Sequence, residues 1–166
     1  MYSENLVSIS WSIIIEDASL ILGFTKELAI FEKAEDEVIA TVEDIENNLF
    51  CKNATTKAVI CTSDNKQIGL AVYFLNFSTW LGKNGLYLED LYISPNYRGA
   101  GAGKRLLKYL AEIAVENNYG RFEWSVLDWN EPVIKFYESI GAIAQSEWIG
   151  YRLEGQSLSD FALSKI

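Results

Sequence analysis

The sequence predicts an α+β fold in which helices flank a mixed, partly parallel sheet. Several hairpin-type strands come first in the chain, and a strand–loop–helix–strand unit of the kind that joins parallel strands follows them. A length of 166 residues suits a single domain, 1–166. Apolar residues make up 49% of the chain and charged residues 22%, so a packed core is available.

Hydrophobic periodicity predicts the individual strands and helices. β-branched residues predict a first strand at 7–15, and apolar spacings of three and four predict a helix at 18–33. Thr41 and Asp44 form a capping-box variant that opens a shorter helix toward Phe50. Further strands are predicted at 58–62, 68–77, 86–93, 121–127 and 142–153, and further helices over 106–114, after Asn130 up to Gly141, and at 157–164.

Composition excludes several classes of function. The formal net charge is −9, which repels phosphate backbones and favours cationic small molecules or basic peptides over nucleic acid. The sequence contains no histidine, so catalytic triads and HExxH zinc sites are excluded. The two cysteines, Cys51 and Cys61, suit a reducing compartment. With no signal-peptide pattern and no membrane-length apolar run, we expect a cytoplasmic protein.

A glycine-rich loop follows the strand predicted at 86–93. Glycines at the start of a helix let backbone N–H groups approach an anion. A Walker A loop is excluded because Arg98 stands where a glycine is needed and Arg105 replaces the hydroxyl residue, and GxGxxG does not fit either. The pattern Arg/Gln-x-x-Gly-x-Gly/Ala does fit, with Arg98, Gly101 and Gly103. The alternative is an ordinary helix N-terminus with flexible glycines.

This last pattern resembles the pyrophosphate loop of the GNAT acetyltransferases, and the likeness covers most of residues 13–155. The segments LYLEDLYI at 86–93 and GRFEWSVLDWNEP at 120–132 resemble the diamine (spermidine/spermine) and thialysine acetyltransferase branch, as do KELAIFE at 26–32 and FYESIGA at 136–142. The resemblance implies the GNAT fold, with a sheet of six to seven strands that is splayed at the acetyl-CoA site and has a bulge near Glu89 and Asp90. It also implies acetyl-CoA as co-substrate, no metal, and a homodimer.

Acetyl transfer to an amine needs a base, because an alkylammonium resembling lysine has a pKa of about 10.4. The departing thiolate is helped by a proton donor. The resemblance implies Glu89 as the base, acting through water, Asp90 as the anchor of a cationic substrate, and Tyr137 as the general acid. It implies substrate contacts from Glu32 and Trp80, and coenzyme contacts from Leu91, Tyr92, Ile93, Arg98, Gly99, Ala100, Gly101, Ala102, Gly103, Lys104 and Asn130.

Each of these assignments has a structural alternative. Glu89 and Asp90 also fit a solvent-facing strand, although strands are depleted in acidic residues. Tyr137 also fits a core aromatic, and Asn130 fits a helix cap, a coenzyme ligand or both. Glu32 also fits a solvated helix end, and Trp80 also fits an indole packed in a loop. For both residues this alternative is as open as the role in substrate binding.

The substrate class also has alternatives. The apolar Ile149 stands where the diamine enzymes would place an acidic contact, which keeps thialysine, lysine-like amines and short diamines open beside polyamines. Protein lysines or N-termini are a second class of acceptor. A GNAT domain that binds acetyl-CoA without catalysis is a third reading.

Overall fold

The computed structural model describes residues 7–10 and 13–164. Its sheet has five strands, which lie side by side in chain order. Strands β1 to β4 are antiparallel neighbours, and β5 runs parallel to β4. The mixed, partly parallel sheet is therefore confirmed. The strands are β1 Val7–Ser10, β2 Thr56–Ser63, β3 Lys66–Ser78, β4 Lys83–Ile93 and β5 Phe122–Trp124.

Five α-helices accompany the sheet: α1 Ala18–Glu32, α2 Val42–Leu49, α3 Ala102–Glu116, α4 Glu131–Ser139 and α5 Gly155–Leu163. The predicted capping box of α2 is present, since the Asp44 N–H donates to Thr41 Oγ1 over 3.2 Å and the Thr41 N–H donates to Asp44 Oδ2 over 2.8 Å. Among the residues that the structure describes, no helix is long and apolar enough to span a membrane.

Helices α1 and α3 pack on opposite faces of β4. The core cluster joins Ile21 and Phe24 of α1 to Leu70, Val72 and Tyr92 of the sheet. The neighbours of Tyr92 along β4 point the other way, and a Cβ built on Gly103 of α3 would lie 3.7 Å from Leu91 and 3.8 Å from Ile93. The sheet is thus flanked by helices, as the sequence predicts.

Three strand predictions need correction. The sheet of the described residues has five strands rather than six to seven, because the strand predicted at 142–153 is absent and that segment is irregular. A strand exists only where another strand accepts its backbone hydrogen bonds, which sequence alternation alone does not provide. The first strand ends at Ser10; the prediction for residues 11 and 12 lies outside the described residues, and a 3₁₀ turn occupies Ile15–Asp17. The strand predicted at 121–127 shortens to β5.

The chain divides into two compact units, Met1–Ser125 and Val126–Ile166. The first contains the whole sheet with α1 to α3, and the second contains α4 and α5. The description as a single domain stays a prediction.

Candidate active site

The glycine loop before α3 forms an open cradle of backbone amides. Gly99 and Gly101 have φ angles of +80° and +86°, a conformation that glycine adopts without strain. No atom lies within 4 Å of a Cβ built on either residue, so the space above the loop is free. The Arg105 N–H bonds to the Gly101 carbonyl at 3.0 Å, and the preceding amides, those of Ala102 to Lys104, lie in the first turn of the helix. Such a helix start attracts diphosphates.

Strand β4 carries a β-bulge at Glu89. Val72 of β3 lies opposite Asp90 and Tyr73 lies opposite Leu88, so Glu89 is the extra residue. A bulge re-aims side chains and disrupts the ladder next to it. The bulge explains how two successive acidic residues fit into an otherwise apolar strand, and it was expected only from the family resemblance.

The parallel pairing of β4 with β5 stops at this bulge. The last paired residues are Leu88 and Trp124, and within the described residues 89–93 of β4 have a strand neighbour on the β3 side only. The backbone of this stretch therefore offers hydrogen-bonding groups along an open edge, where a pantetheine amide chain can pair. Leu91, Tyr92 and Ile93 lie on this stretch.

Two further carboxylates lie near Asp90. Asp90 is half-buried on the α1 side of the sheet, and burial, with the negative charges of Glu89 and Glu32, raises its pKa to about 6. Partial burial also raises the pKa of Glu32, at the end of α1. Glu89 itself is exposed. A concentration of negative charge around a half-buried carboxylate suits a cationic ligand.

Tyr137 and Asn130 lie in the second unit. Burial raises the pKa of the Tyr137 phenol, so this group keeps its proton at neutral pH. Asn130 occupies the N-cap position of α4 as predicted, but its side chain makes no capping hydrogen bond. Its backbone carbonyl accepts the Ile134 N–H at 3.0 Å.

Trp80 lies away from the carboxylates. It is 90% exposed in the turn between β3 and β4, and Glu89 lies six residues beyond the start of β4 at Lys83. At about 3.3 Å per strand residue, the bulge lies roughly 20 Å from that turn. Within one chain the structure does not bring Trp80 to Glu89 and Asp90, and its role in substrate binding stays a prediction.

Two residues of α1 that the sequence did not single out for function contact the loop region. The Tyr92 hydroxyl donates to Glu27 Oε2 over 2.7 Å, and the Arg98 guanidinium lies 4.9 Å from the centroid of the Phe31 ring. No local signal could have found these contacts, because the partners are more than sixty residues apart in the chain.

The described residues hold no group of three or more metal-ligating side chains. The remaining features are a glycine-rich helix start and an open, bulged strand edge beside carboxylates. This combination fits a transferase that uses an acyl-coenzyme A.

The family follows from comparison with known proteins. Residues 24–142 match the acetyltransferase (GNAT) family. The chain belongs to this family and is an N-acetyltransferase, and enzymes of the family use acetyl-CoA as co-substrate.

Individual relatives indicate which branch of the family the chain resembles. The chain is 32% identical over 157 residues to a thialysine N-epsilon-acetyltransferase of Sus scrofa, with 88% of this chain and 92% of that protein covered. It is 31% identical over 156 residues to a spermidine/spermine N(1)-acetyltransferase-like protein of Homo sapiens, covering 88% of this chain and 22% of that protein. An integron cassette protein of V. cholerae has a solved structure with a TM-score of 0.78 and 30% identity, covering 95% of this chain and 98% of that one. These likenesses support both the predicted fold and the predicted branch of the family.

Proposed function

We propose that the protein acetylates a primary amine of a small cationic molecule, namely a diamine, a polyamine or a thialysine-like compound. The observation that carries this proposal is the half-buried Asp90 beside Glu89 at the point where the edge of β4 opens. An ammonium group is held by Asp90 and flanked by further negative charge from Glu32. The thialysine and spermidine/spermine enzymes among the relatives support an acceptor of this size and charge.

The proposed reaction is a direct transfer within a ternary complex. Glu89 takes a proton from the ammonium group through a water molecule, which frees the nitrogen lone pair. The nitrogen then forms a bond to the thioester carbonyl carbon, the carbon–sulfur bond breaks, and the nitrogen gives up its second proton to water. The thiolate of coenzyme A takes the phenolic proton of Tyr137, and water returns a proton to the phenolate. The chain supplies position and proton transfer only, so no nucleophilic side chain is needed.

In the same proposal the coenzyme lies along the loop and the strand edge. The amides between Arg98 and Lys104 bind its diphosphate, and the backbone of Leu91 to Ile93 pairs with pantetheine. The positive φ of Gly99 and Gly101 and the open space above them support the first contact. The pantetheine contact is supported by the open edge of β4 at residues 89–93, which do not pair with β5 in the described structure. Asn130 is proposed as a further coenzyme ligand because its side chain is not used as a helix cap.

The proposal includes a homodimer in the cytoplasm. The second unit exposes many apolar side chains, which in a stable protein are usually covered by a partner. Both cysteines are free thiols, Cys61 buried and Cys51 exposed, which fits a reducing compartment.

The test of the proposed function is thiol release from acetyl-CoA over a panel of amines, with mass spectrometry of the products. We expect acetylated diamines, polyamines or thialysine, with the label on a primary nitrogen. Acetylation of lysine peptides or protein N-termini alone would replace the small-amine proposal by a protein acetyltransferase. Binding of acetyl-CoA without thiol release from any acceptor would instead indicate a non-catalytic module.

A further inference from the structure

The side chain of Arg98 points toward β4 and α1, although its backbone opens the glycine loop. Its Nε–H donates to the Ile93 carbonyl over 2.7 Å. Its Cζ lies 4.9 Å from the ring centroid of Phe31 and 5.4 Å from that of Tyr92. A guanidinium within about 6 Å of an aromatic ring is attracted by the electrons of the ring face. Arg98 therefore links the loop to two different elements.

The link continues into helix α1. The Tyr92 hydroxyl donates to Glu27 Oε2 over 2.7 Å, and its ring lies 5.8 Å from that of Phe24. Beside these contacts is an open hollow of about 370 Å³, bordered by Ile30 and Pro95 among others. The residues that line this hollow belong to α1, to β4 and to the segment before the loop, and the contacts of Arg98 and Tyr92 join these three parts of the chain.

We infer that Arg98 is a positioning residue that fastens the C-terminal end of α1 to the pyrophosphate loop. Glu32 directly follows Phe31, so the same contact that orders the coenzyme loop also orders the acidic end of α1. Binding of the coenzyme and binding of the amine are thereby coupled. This inference deepens the proposed function and rests on it for its catalytic consequence.

The alternative role for Arg98 is a simple positive charge for the diphosphate. The two roles differ in what lysine can replace. Lysine keeps the charge but lacks both the planar group that stacks on Phe31 and the Nε–H that reaches Ile93. Arg98→Lys therefore disrupts the fastening and spares a purely electrostatic contact. Phe31→Leu removes the ring face without changing any charge near the coenzyme.

The first test uses the protein without ligands and measures amide hydrogen exchange in the wild type, Arg98→Lys and Phe31→Leu. We expect both variants to exchange several-fold faster in two segments, 27–33 at the end of α1 and 99–105 in the loop. Lys108→Gln is the matched control, because Lys108 lies on α3, is largely exposed and pairs with the exposed Glu112 of the same helix. Faster exchange in the loop alone, with the end of α1 unchanged, would overturn the inference.

The second test compares acetyl-CoA with S-acetylpantetheine, which lacks the diphosphate. With both acyl donors we expect Arg98→Lys and Phe31→Leu to raise KM for the amine about tenfold. The double variant should be no worse than Arg98→Lys alone, because Arg98→Lys already removes the contact with Phe31. An effect of Arg98→Lys seen with acetyl-CoA only, or no effect at all, would show that Arg98 acts as a phosphate ligand or not at all.

Hydrogen exchange also tests this inference independently of the proposed function. If the wild type acetylates no amine, the proposed function fails, while the exchange pattern of the unliganded variants still decides whether Arg98 fastens α1 to the loop. Thermal unfolding of each variant verifies that the comparison is made on folded protein.

Discussion

Tyr137 is the general acid of the proposed reaction. Burial raises the pKa of its phenol, so the hydroxyl keeps its proton at neutral pH and can donate it to the thiolate in the proposed mechanism. We expect Tyr137→Phe to lower kcat by roughly 10²–10⁴-fold, the range for loss of an acid–base group, with binding of acetyl-CoA preserved. Steady-state kinetics with calorimetry measure both.

The control for this variant is Tyr151→Phe, which removes the hydroxyl of a 93% exposed tyrosine in the same unit. It should keep wild-type turnover. Near-normal turnover of Tyr137→Phe with intact binding would contradict the acid role and leave Tyr137 as a packing residue.

Asp90 makes stability depend on pH in a defined direction. Its pKa of about 6 in the folded protein lies above the 3.8 of an ordinary aspartate. The stability that goes with the protonated form is complete below pH 4 and is lost as the pH rises through 6. Asp90→Asn, which stays neutral, should gain stability relative to the wild type between pH 4 and 7, by up to about 3 kcal/mol.

Urea unfolding at several pH values measures this gain. The same variant should bind a cationic amine more weakly, because the anchoring charge is gone. A stability difference between Asp90→Asn and the wild type that does not change from pH 4 to 7 would contradict the assignment of a raised pKa to this residue.

At the residue level, the sequence indicates which side chains have a chemical role better than it indicates which side chains are in contact. Glu89 and Asp90 stand out because acidic residues are unusual in the middle of an apolar strand. The contact of Phe31 with Arg98 gives no such sign, since an aromatic on an amphipathic helix usually means only core packing. Contacts between distant segments depend on how helix and sheet meet, and that is decided by the fold.

At the level of elements, predictability follows the kind of interaction that makes the element. Helix α1 ends at Glu32, and the predicted end differs from this by one residue. The prediction is this close because the hydrophobic pattern and the hydrogen bonds of a helix are local. The strand predicted at 142–153 is wrong because strand formation needs a partner that the pattern does not specify. The bulge in β4 could be predicted only from the family resemblance. The two-residue alternation of side chains along a strand does not indicate where an extra residue is inserted.

The glycine loop yields a prediction at this scale. Alanine at Gly101 has free space for its Cβ but would have to hold a φ of +86°, which costs about 1–2 kcal/mol for a residue other than glycine. We expect Gly101→Ala to shift the loop and to weaken acetyl-CoA binding about tenfold or more, as measured by calorimetry.

Gly23→Ala is the matched control. Gly23 lies inside α1, exposed and with no atom within 4 Å of its built Cβ, so alanine should leave coenzyme binding unchanged and add up to about 1 kcal/mol of stability. Unchanged acetyl-CoA affinity in Gly101→Ala would contradict the assignment of the loop to the diphosphate.

For the whole molecule, the proposed homodimer is supported by exposed apolar side chains in the second unit. Ile143, Ile149 and Leu163 are each more than three-quarters exposed, and an interface between two copies would cover them. Light scattering should therefore give a mass of twice 18.7 kDa. Ile149→Asp, which puts a charge into this surface, should shift the protein toward the monomer. A monomeric wild type at micromolar concentration would contradict the dimer.

The measurement that tests the account most directly is a calorimetric titration of acetyl-CoA into the wild-type protein, repeated with S-acetylpantetheine. If the amides before α3 hold the diphosphate, acetyl-CoA binds with one site per chain and at least tenfold more tightly than the shorter thioester. Equal affinity for the two thioesters, or no binding of acetyl-CoA, would contradict the account.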